Sequence, residues 1–203
     1  MNLEIGISLV CPVYCSAQTL RILVDQICAC LNGVYKFEIL LIDDRSPDSS
    51  WLEILQISKE NSAVRGIRLG RNVGQHGALL AGIRSARFDK IVTIDDDLQN
   101  PPSEVIKLVQ ALDSNGGVVY GVSTDVKQKW WRKASSTGAK QLFKKFLSFD
   151  SAVKISSFRA FETNLRNAFS GEIGPSVSID SLLTWSTSTF CSIDVQHHPR
   201  LQG

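Results

Sequence analysis

The sequence has no apolar run near the roughly 20 residues that a membrane-spanning helix needs. Its start, MNLEIGISLVCPVY, also lacks the basic and then long apolar segments of a secretory leader. There is no C-x-x-C pair, and no histidine stands near a cysteine at zinc-ligand spacing. We therefore expect a cytoplasmic protein whose cysteines are reduced thiols. The five cysteines are Cys11, Cys15, Cys28, Cys30 and Cys191.

A strong charge of either sign is also missing. Lysine and arginine total 22 against 20 aspartates and glutamates, which leaves a formal charge of +2. Such a balance favours neither nucleic acid nor any other partner. With 203 residues the chain is long enough for one domain with a sizeable core, so we predict a single domain over residues 1–203.

Short β-branched runs alternate with amphipathic segments through the first two thirds of the chain. This pattern is typical of βα units that form a mostly parallel sheet covered by helices. The predicted strands are Ile5–Val10, Phe37–Asp43, Val64–Leu69, Lys90–Asp95 and Gly117–Val122, with weaker signals at Ile155–Phe161 and Cys191–Val195. The predicted helices are Thr19–Leu31, Ser50–Asn61, Gly74–Ser85, Ser103–Ser114 and Ile179–Ser186.

An acidic run, IDDDLQNPP, follows the fourth predicted strand, where ligands bind in open α/β sheets. Asp95, Asp97 and Gln99 occupy alternate positions, so an extended backbone would point their oxygens one way and Asp96 the other. Hard oxygen ligands suit Mg²⁺ or Mn²⁺, which neutralise a diphosphate leaving group. The alternative is an acidic loop that caps the following helix, and the run alone does not decide between them.

Two further clusters follow predicted strands. In IDDRSPD, the carboxylates of Asp43 and Asp44 either accept hydrogen bonds from a base or ribose, or belong to an ordinary helix-entry loop. In RNVGQHGALLAG, Arg71, Asn72 and Gly74 stand where a strand passes into a helix, as a phosphate or sugar contact requires. Glycine-rich helix starts are common, however, and His76 alone is more often a structural residue.

Taken together and in order, these segments resemble the inverting glycosyltransferases of the GT-A fold (glycosyltransferase family 2), especially the dolichol- and polyprenyl-phosphate sugar synthases. The resemblance implies a Rossmann-like three-layer αβα sandwich, with a nucleotide-sugar-binding half over 1–122 and an acceptor-binding half over 123–203. The matching pieces are SLVCPVY, ILLIDDRSPDSSW, IRLGRNVGQHGALLAG, IVTIDDDLQNPPSEV, SSFRAF, SIDSLLTW and HHPRLQG.

The resemblance also implies residue roles. Pro12 and Tyr14 would line the nucleotide pocket, and Asp44, with Asp43 beside it, would contact the base. A Mg²⁺ or Mn²⁺ ion and the diphosphate would be bound by the acidic run, with Asp95, Asp97 and Gln99 as metal ligands, Asp97 also catalytic and Asp96 beside them. Arg132 and Arg159 would face the sugar-phosphate or the acceptor phosphate. His197 and Arg200 would close over the diphosphate.

The sequence departs from the family pattern in two places. Tyr14 is followed by Cys15 and Ser16 instead of Asn-Glu, and Ser157 stands where relatives usually have glycine. Related chains usually continue past the position of Gly203 into amphipathic or membrane helices, and whether this one does is left open. The departures keep a catalytically inactive nucleotide-sugar-binding subunit as an alternative.

The acceptor decides whether the reaction needs a base. A polyprenyl phosphate is already anionic, whereas a hydroxyl of a surface polysaccharide or O-antigen glycan must lose a proton. Asp180 is the candidate base, with a helix cap as the equal alternative. The donor nucleotide, UDP, GDP or dTDP, and the oligomeric state stay open.

The basic and aromatic stretch Lys127–Phe149 suits an anionic membrane surface, although such helices more often pack on their own core. With the implied lipid acceptor, we expect peripheral contact with the inner face of the cytoplasmic membrane. A nucleic-acid module is the remoter alternative, because the acidic loops would repel phosphates unless a metal intervened.

Overall fold

The computed structural model describes residues 6–123, 153–169, 171 and 178–199. Strands and helices alternate along most of this part of the chain. The strands are β1 (Gly6–Val13), β2 (Lys36–Asp43), β3 (Val64–Arg68), β4 (Lys90–Thr93), β5 (Val118–Ser123), β6 (Arg159–Glu162) and β7 (Phe190–Val195). The α-helices are α1 (Leu20–Leu31), α2 (Ser50–Glu60), α3 (Gln75–Ser85), α4 (Glu104–Asn115) and α5 (Ile179–Ser186), and a 3-10 helix spans Thr163–Phe169.

All these strands form one sheet in the order β3-β2-β1-β4-β6-β5-β7. β6 runs antiparallel to both of its neighbours, β4 and β5. The other pairings within the described chain, β1 with β2 and β4, β2 with β3, and β5 with β7, are parallel. The expected mostly parallel sheet between helical layers is confirmed.

Alternate residues of the central strands explain the two helical layers. On β1, Leu9 and Cys11 pack into the cluster that contains the buried side chains of α1, α2 and α4. Val10, between them, packs into the opposite cluster with α3 and α5. Successive side chains of a strand point to opposite faces, so a strand buried on both faces must be continuously apolar.

The first strand is longer than its sequence predicts. It ends at Val13 instead of Val10 and contains the buried Pro12, which pairs with Ile42 of β2. The Val10 carbonyl accepts from Ile94 on the β4 side, so by the strand period Pro12 turns its missing N–H to that same side. The pairing of β1 with β4 therefore stops at Val10 and Thr93. After Thr93 the chain leaves the sheet and forms a loop.

Two predictions about the second half of the chain fall outside the described residues. They are the membrane-surface helix within Lys127–Phe149 and the role of Arg132. In the part of the chain that is described, no helix combines the length and the apolar character required to cross a bilayer.

Candidate active site

Asp43 is the last residue of β2, and Asp44 follows it directly. Asp43 is fully buried, accepts the Ser46 N–H at 3.0 Å and forms an ion pair with Arg68 at 3.0 Å. The two oxygens of Asp44 accept the N–H groups of Val73 and Gly74, both at 2.8 Å.

Asp44 thereby fixes the loop that precedes α3. Arg71 and Asn72 lie exposed in this loop, at the carboxyl end of β3. Gly74 there has a φ of 82°, which favours glycine. The predicted contacts of Asp44 with a base and of Arg71, Asn72 and Gly74 with phosphate or sugar stay predictions.

Asp96 joins the loop after β1 to the loop after β4. Its Oδ2 accepts the Tyr14 N–H at 3.2 Å and the Ser16 hydroxyl at 2.5 Å. Ser16, one of the departures from the family pattern, therefore has a defined partner. The Tyr14 side chain is 52% exposed beside this junction, so its ring is accessible to a ligand.

The backbone of the acidic run differs from the expected extended one. β4 ends at Thr93, the chain turns at Asp96 and Asp97, and Leu98 has a φ of 61°. The alternation argument for Asp95, Asp97 and Gln99 was therefore wrong in its geometry. The turn buries Leu98 in the core while the Asp97 Oδ1 accepts the Gln99 N–H at 3.1 Å.

Asp95 is held by two donors from elsewhere in the chain. Its Oδ1 accepts from Gln75 Nε2 at 2.7 Å and its Oδ2 from the Ser157 hydroxyl at 2.5 Å. Burial raises the pKa of the Asp95 carboxyl, and the charge of Asp97 raises it further against the hydrogen bond from Ser157. A pair of carboxylates that repel each other in a partly buried place is a setting that a divalent cation stabilises.

A cavity of about 400 Å³ opens at the carboxyl ends of β4 and β5. The segment after β7 closes one side of it, because the His198 N–H donates to the Gln99 carbonyl at 2.8 Å. Among the residues that line the cavity are Asp95, Gln99, Asn100, Val122, Ile155 and His197. His197 thus lies beside the acidic run and its predicted contact with the diphosphate stays a prediction, whereas Arg200 lies outside the described residues.

Arg159 and Asp180 form a buried ion pair behind this cavity. The Arg159 side chain is 2% exposed and donates to Asp180 Oδ1 at 2.5 Å. The Tyr120 hydroxyl donates to the same oxygen at 2.9 Å, and burial, followed by the Asp180 charge, raises the pKa of Tyr120.

Two sequence expectations are corrected by this pair. Arg159 does not face a phosphate, because its guanidinium is buried against Asp180. Asp180 is neither an unpartnered base nor the cap of α5, since the Ser178 hydroxyl accepts the Ser181 N–H in that role. His76 lies alongside, where its Nδ1 accepts the Ile179 N–H at 3.4 Å, and its pKa is lowered by burial and then by Arg159.

The donor set for a metal ion is small. Among the described residues, no three His, Cys, Asp or Glu side chains group closely enough to bind a metal. The oxygen atoms of Asp95, Asp97 and Gln99 are hard ligands, and Mg²⁺ commonly takes one or two carboxylates and completes its shell with substrate phosphate and water. The residues present fit a cation shared with a diphosphate better than a closed structural site.

The sequence of this chain also matches a known protein family. The profile of the family described as Glycosyl transferase family 2 matches residues 8–168. This chain belongs to that family. The match covers most of β1 and all of β2 to β6, including the acidic run, so all the loops at the carboxyl ends of β1 to β4 lie within it.

Solved structures of three other proteins share the fold. A mannosyltransferase from Pyrobaculum calidifontis is 18% identical, with a TM-score of 0.63 over 88% of this chain and 50% of its own length. Glucosyl-3-phosphoglycerate synthase from Mycobacterium tuberculosis is 19% identical, with a TM-score of 0.70 over 98% and 72%. S. aureus TarS 1-349 is 15% identical, with a TM-score of 0.64 over 96% and 60%.

The GT-A fold expected from the sequence is thus confirmed. At these identities the likeness concerns the fold alone, and the chain spans only half the length of the Pyrobaculum enzyme. Sequence reasoning missed three polar partners of the acidic run, Ser16, Gln75 and Ser157. The two serines had stood out only as departures from the family pattern.

Proposed function

We propose that this chain transfers a sugar, with inversion at the anomeric carbon, from a nucleoside-diphosphate donor to a polyprenyl phosphate. The observation that carries the acceptor class is the scarcity of carboxylates that could act as a base. Among the described residues that line the cavity, Asp95 is the only carboxylate, and it belongs to the cation site proposed here. Asp180 is tied to Arg159. A phosphate acceptor, already anionic, needs no base.

The donor class is supported by family membership and by what related enzymes bind. The Pyrobaculum mannosyltransferase was crystallised with GDP-Man and Mn²⁺, and the Mycobacterium synthase with UDP and Mn²⁺ or Mg²⁺. In this chain, Asp95, Asp97 and Gln99 would hold the cation. When bound, Mg²⁺ or Mn²⁺ neutralises negative charge that develops on the leaving diphosphate.

The protein's own groups then have separable tasks. The accessible Tyr14 ring and the Asp44 loop are placed to bind the nucleoside, with Arg71 and Asn72 exposed beside them. His197 lines the cavity together with Gln99, where it would donate to a diphosphate oxygen. The attacking phosphate oxygen forms the new bond to the anomeric carbon as the bond to the diphosphate breaks, so no proton has to move.

The apolar side of the cavity fits a lipid-linked acceptor. Val122 and the 42% exposed Ile155 line it, facing the polar residues of the acidic run. An apolar wall next to a polar end suits a phosphate attached to a hydrocarbon chain. Peripheral binding to the cytoplasmic membrane surface is part of the same proposal and rests on the composition of Lys127–Phe149.

A matched pair of acceptors tests this function. Farnesyl phosphate and farnesol share one hydrocarbon chain and differ in the phosphate, so each would be incubated with Mn²⁺ and UDP, GDP or dTDP sugars. We expect nucleoside diphosphate release and an acid-labile sugar-phosphate product with farnesyl phosphate alone. Transfer to farnesol or to a glycan hydroxyl, but not to farnesyl phosphate, would overturn the acceptor. No transfer to either class, with nucleotide binding intact, would favour the inactive subunit.

A further inference from the structure

The carboxylate of Asp95 has one donor on each of its oxygens, and the two donors come from different parts of the fold. Gln75, the first residue of α3, reaches Oδ1 at 2.7 Å. Ser157, just before β6, reaches Oδ2 at 2.5 Å. The helix α3 lies against one face of the sheet, whereas Ser157 lies at the end of the sheet where β6 begins. The carboxylate is therefore held from two directions.

The antiparallel pairing of β4 with β6 explains how Ser157 arrives there. Thr93 pairs with Arg159. Two residues further along from Thr93, and two back from Arg159, the same register places Asp95 opposite Ser157. The Thr93 hydroxyl also donates to the Ser157 carbonyl at 2.5 Å, which holds the serine backbone in place. The contact therefore continues the β4–β6 register just beyond its last strand pair.

We propose that Ser157 and Gln75 are positioning residues that orient the Asp95 carboxylate for the divalent cation. This inference rests on the proposed function, because it presupposes the cation site. Each carboxylate oxygen can accept about two hydrogen bonds or metal contacts. The serine and the glutamine each occupy one position on a different oxygen, which leaves one position on each oxygen for the cation.

The physical alternative is that these donors compete with the cation for the oxygens of Asp95 and so weaken its binding. Partners of metal-binding side chains that fix orientation typically contribute about 10- to 100-fold to metal affinity. A competing hydrogen bond would lower the affinity for the metal, so its removal would tighten metal binding. The sign of the change in affinity therefore distinguishes positioning from competition.

Mn²⁺, titrated into the full chain with and without UDP, GDP or dTDP and followed by electron paramagnetic resonance, supplies the test, because the proposed cation shares its ligand shell with a diphosphate. We expect Ser157→Ala and Gln75→Ala each to weaken Mn²⁺ binding by about 10-fold. Ser157→Thr keeps the hydroxyl and should bind within about threefold of the unchanged protein, which a merely structural role would not predict. Urea unfolding of each variant checks that the fold is retained.

Two control variants remove similar groups that do not reach Asp95. The Ser114 hydroxyl donates to the Gln110 carbonyl on the exposed side of α4, and Gln56 donates to Glu60 on the exposed side of α2. Mn²⁺ affinity should be unchanged in Ser114→Ala and Gln56→Ala. If the unchanged protein binds Mn²⁺ and Ser157→Ala and Gln75→Ala bind it equally well or more tightly, the positioning role is overturned. If the unchanged protein binds no Mn²⁺ either alone or with any of the three nucleotides, the cation site of the proposed function fails as well.

Discussion

Asp97→Asn should lower the rate of sugar transfer by about a hundredfold or more, while the protein stays folded. The substitution keeps the size of the side chain and removes one of the two carboxylates assigned to the cation. Loss of a single group that stabilises developing charge typically costs about 10²- to 10³-fold in rate. Release of nucleoside diphosphate in the presence of Mn²⁺ and the acceptor measures the effect.

Asp89→Asn is the matched control for that variant. Asp89 is exposed and directly precedes β4, whereas Asp97 follows the other end of the same strand. Its side-chain Oδ2 accepts the Gly6 N–H at 3.5 Å. Asp89→Asn should retain the rate within about twofold, as expected for an exposed position away from the site. A rate above one tenth in Asp97→Asn would remove Asp97 from the cation site.

Asp180→Ala should reduce the free energy of unfolding by about 3–5 kcal/mol, the largest stability effect that we expect from one substitution. The change leaves the guanidinium of Arg159, 2% exposed, as an unpaired buried charge. Removal of one partner of a buried ion pair typically costs that amount. Chemical denaturation, with the transition followed by circular dichroism, measures the loss.

Tyr120→Phe and Asp180→Asn separate stability from chemistry. The first removes only the hydroxyl that donates to Asp180 and should cost about 1.5 kcal/mol. The second keeps an oxygen that accepts from Arg159. Because Asp180 is paired with the buried Arg159 and is not assigned as a base, transfer per folded molecule in Asp180→Asn should stay within about tenfold. A folded Asp180→Asn protein that loses 10²-fold or more would instead identify Asp180 as a base.

The order of strands and helices was largely predictable because the central strands are buried on both faces. Continuous apolar runs such as Phe37–Asp43 are recognisable without tertiary information. The end of β1 was not predicted, since Pro12 usually marks the end of a strand. It is accommodated here because its missing N–H falls where the pairing with β4 stops.

The acidic run shows where local reasoning fails. A left-handed φ at a leucine is uncommon, and nothing near Leu98 in the sequence predicts it. The burial of Leu98 in the core compensates for that conformation and turns the chain after Asp95. Residue types at the site could be chosen from the sequence, but their directions depend on this turn.

Contacts across the sheet were equally hidden. Ser157 reaches Asp95 only because β6 is inserted antiparallel beside β4, and the two residues are 62 positions apart. The buried pairing of Arg159 with Asp180 has the same origin, in that β6 and α5 meet only in the folded chain. From the sequence alone, Arg159 is an ordinary candidate for a phosphate site and Asp180 for a base. Only the burial of the pair reverses that interpretation.

Calorimetric titration of the protein with UDP, GDP and dTDP, each with Mn²⁺ and with EDTA, tests the central claim most directly. The account predicts that one nucleotide binds in the presence of Mn²⁺ and binds at least about tenfold more weakly with EDTA, because the carboxylates repel a diphosphate that lacks a cation. Binding of none of the three nucleotides, or equal binding with EDTA, would contradict a cation-dependent glycosyltransferase site.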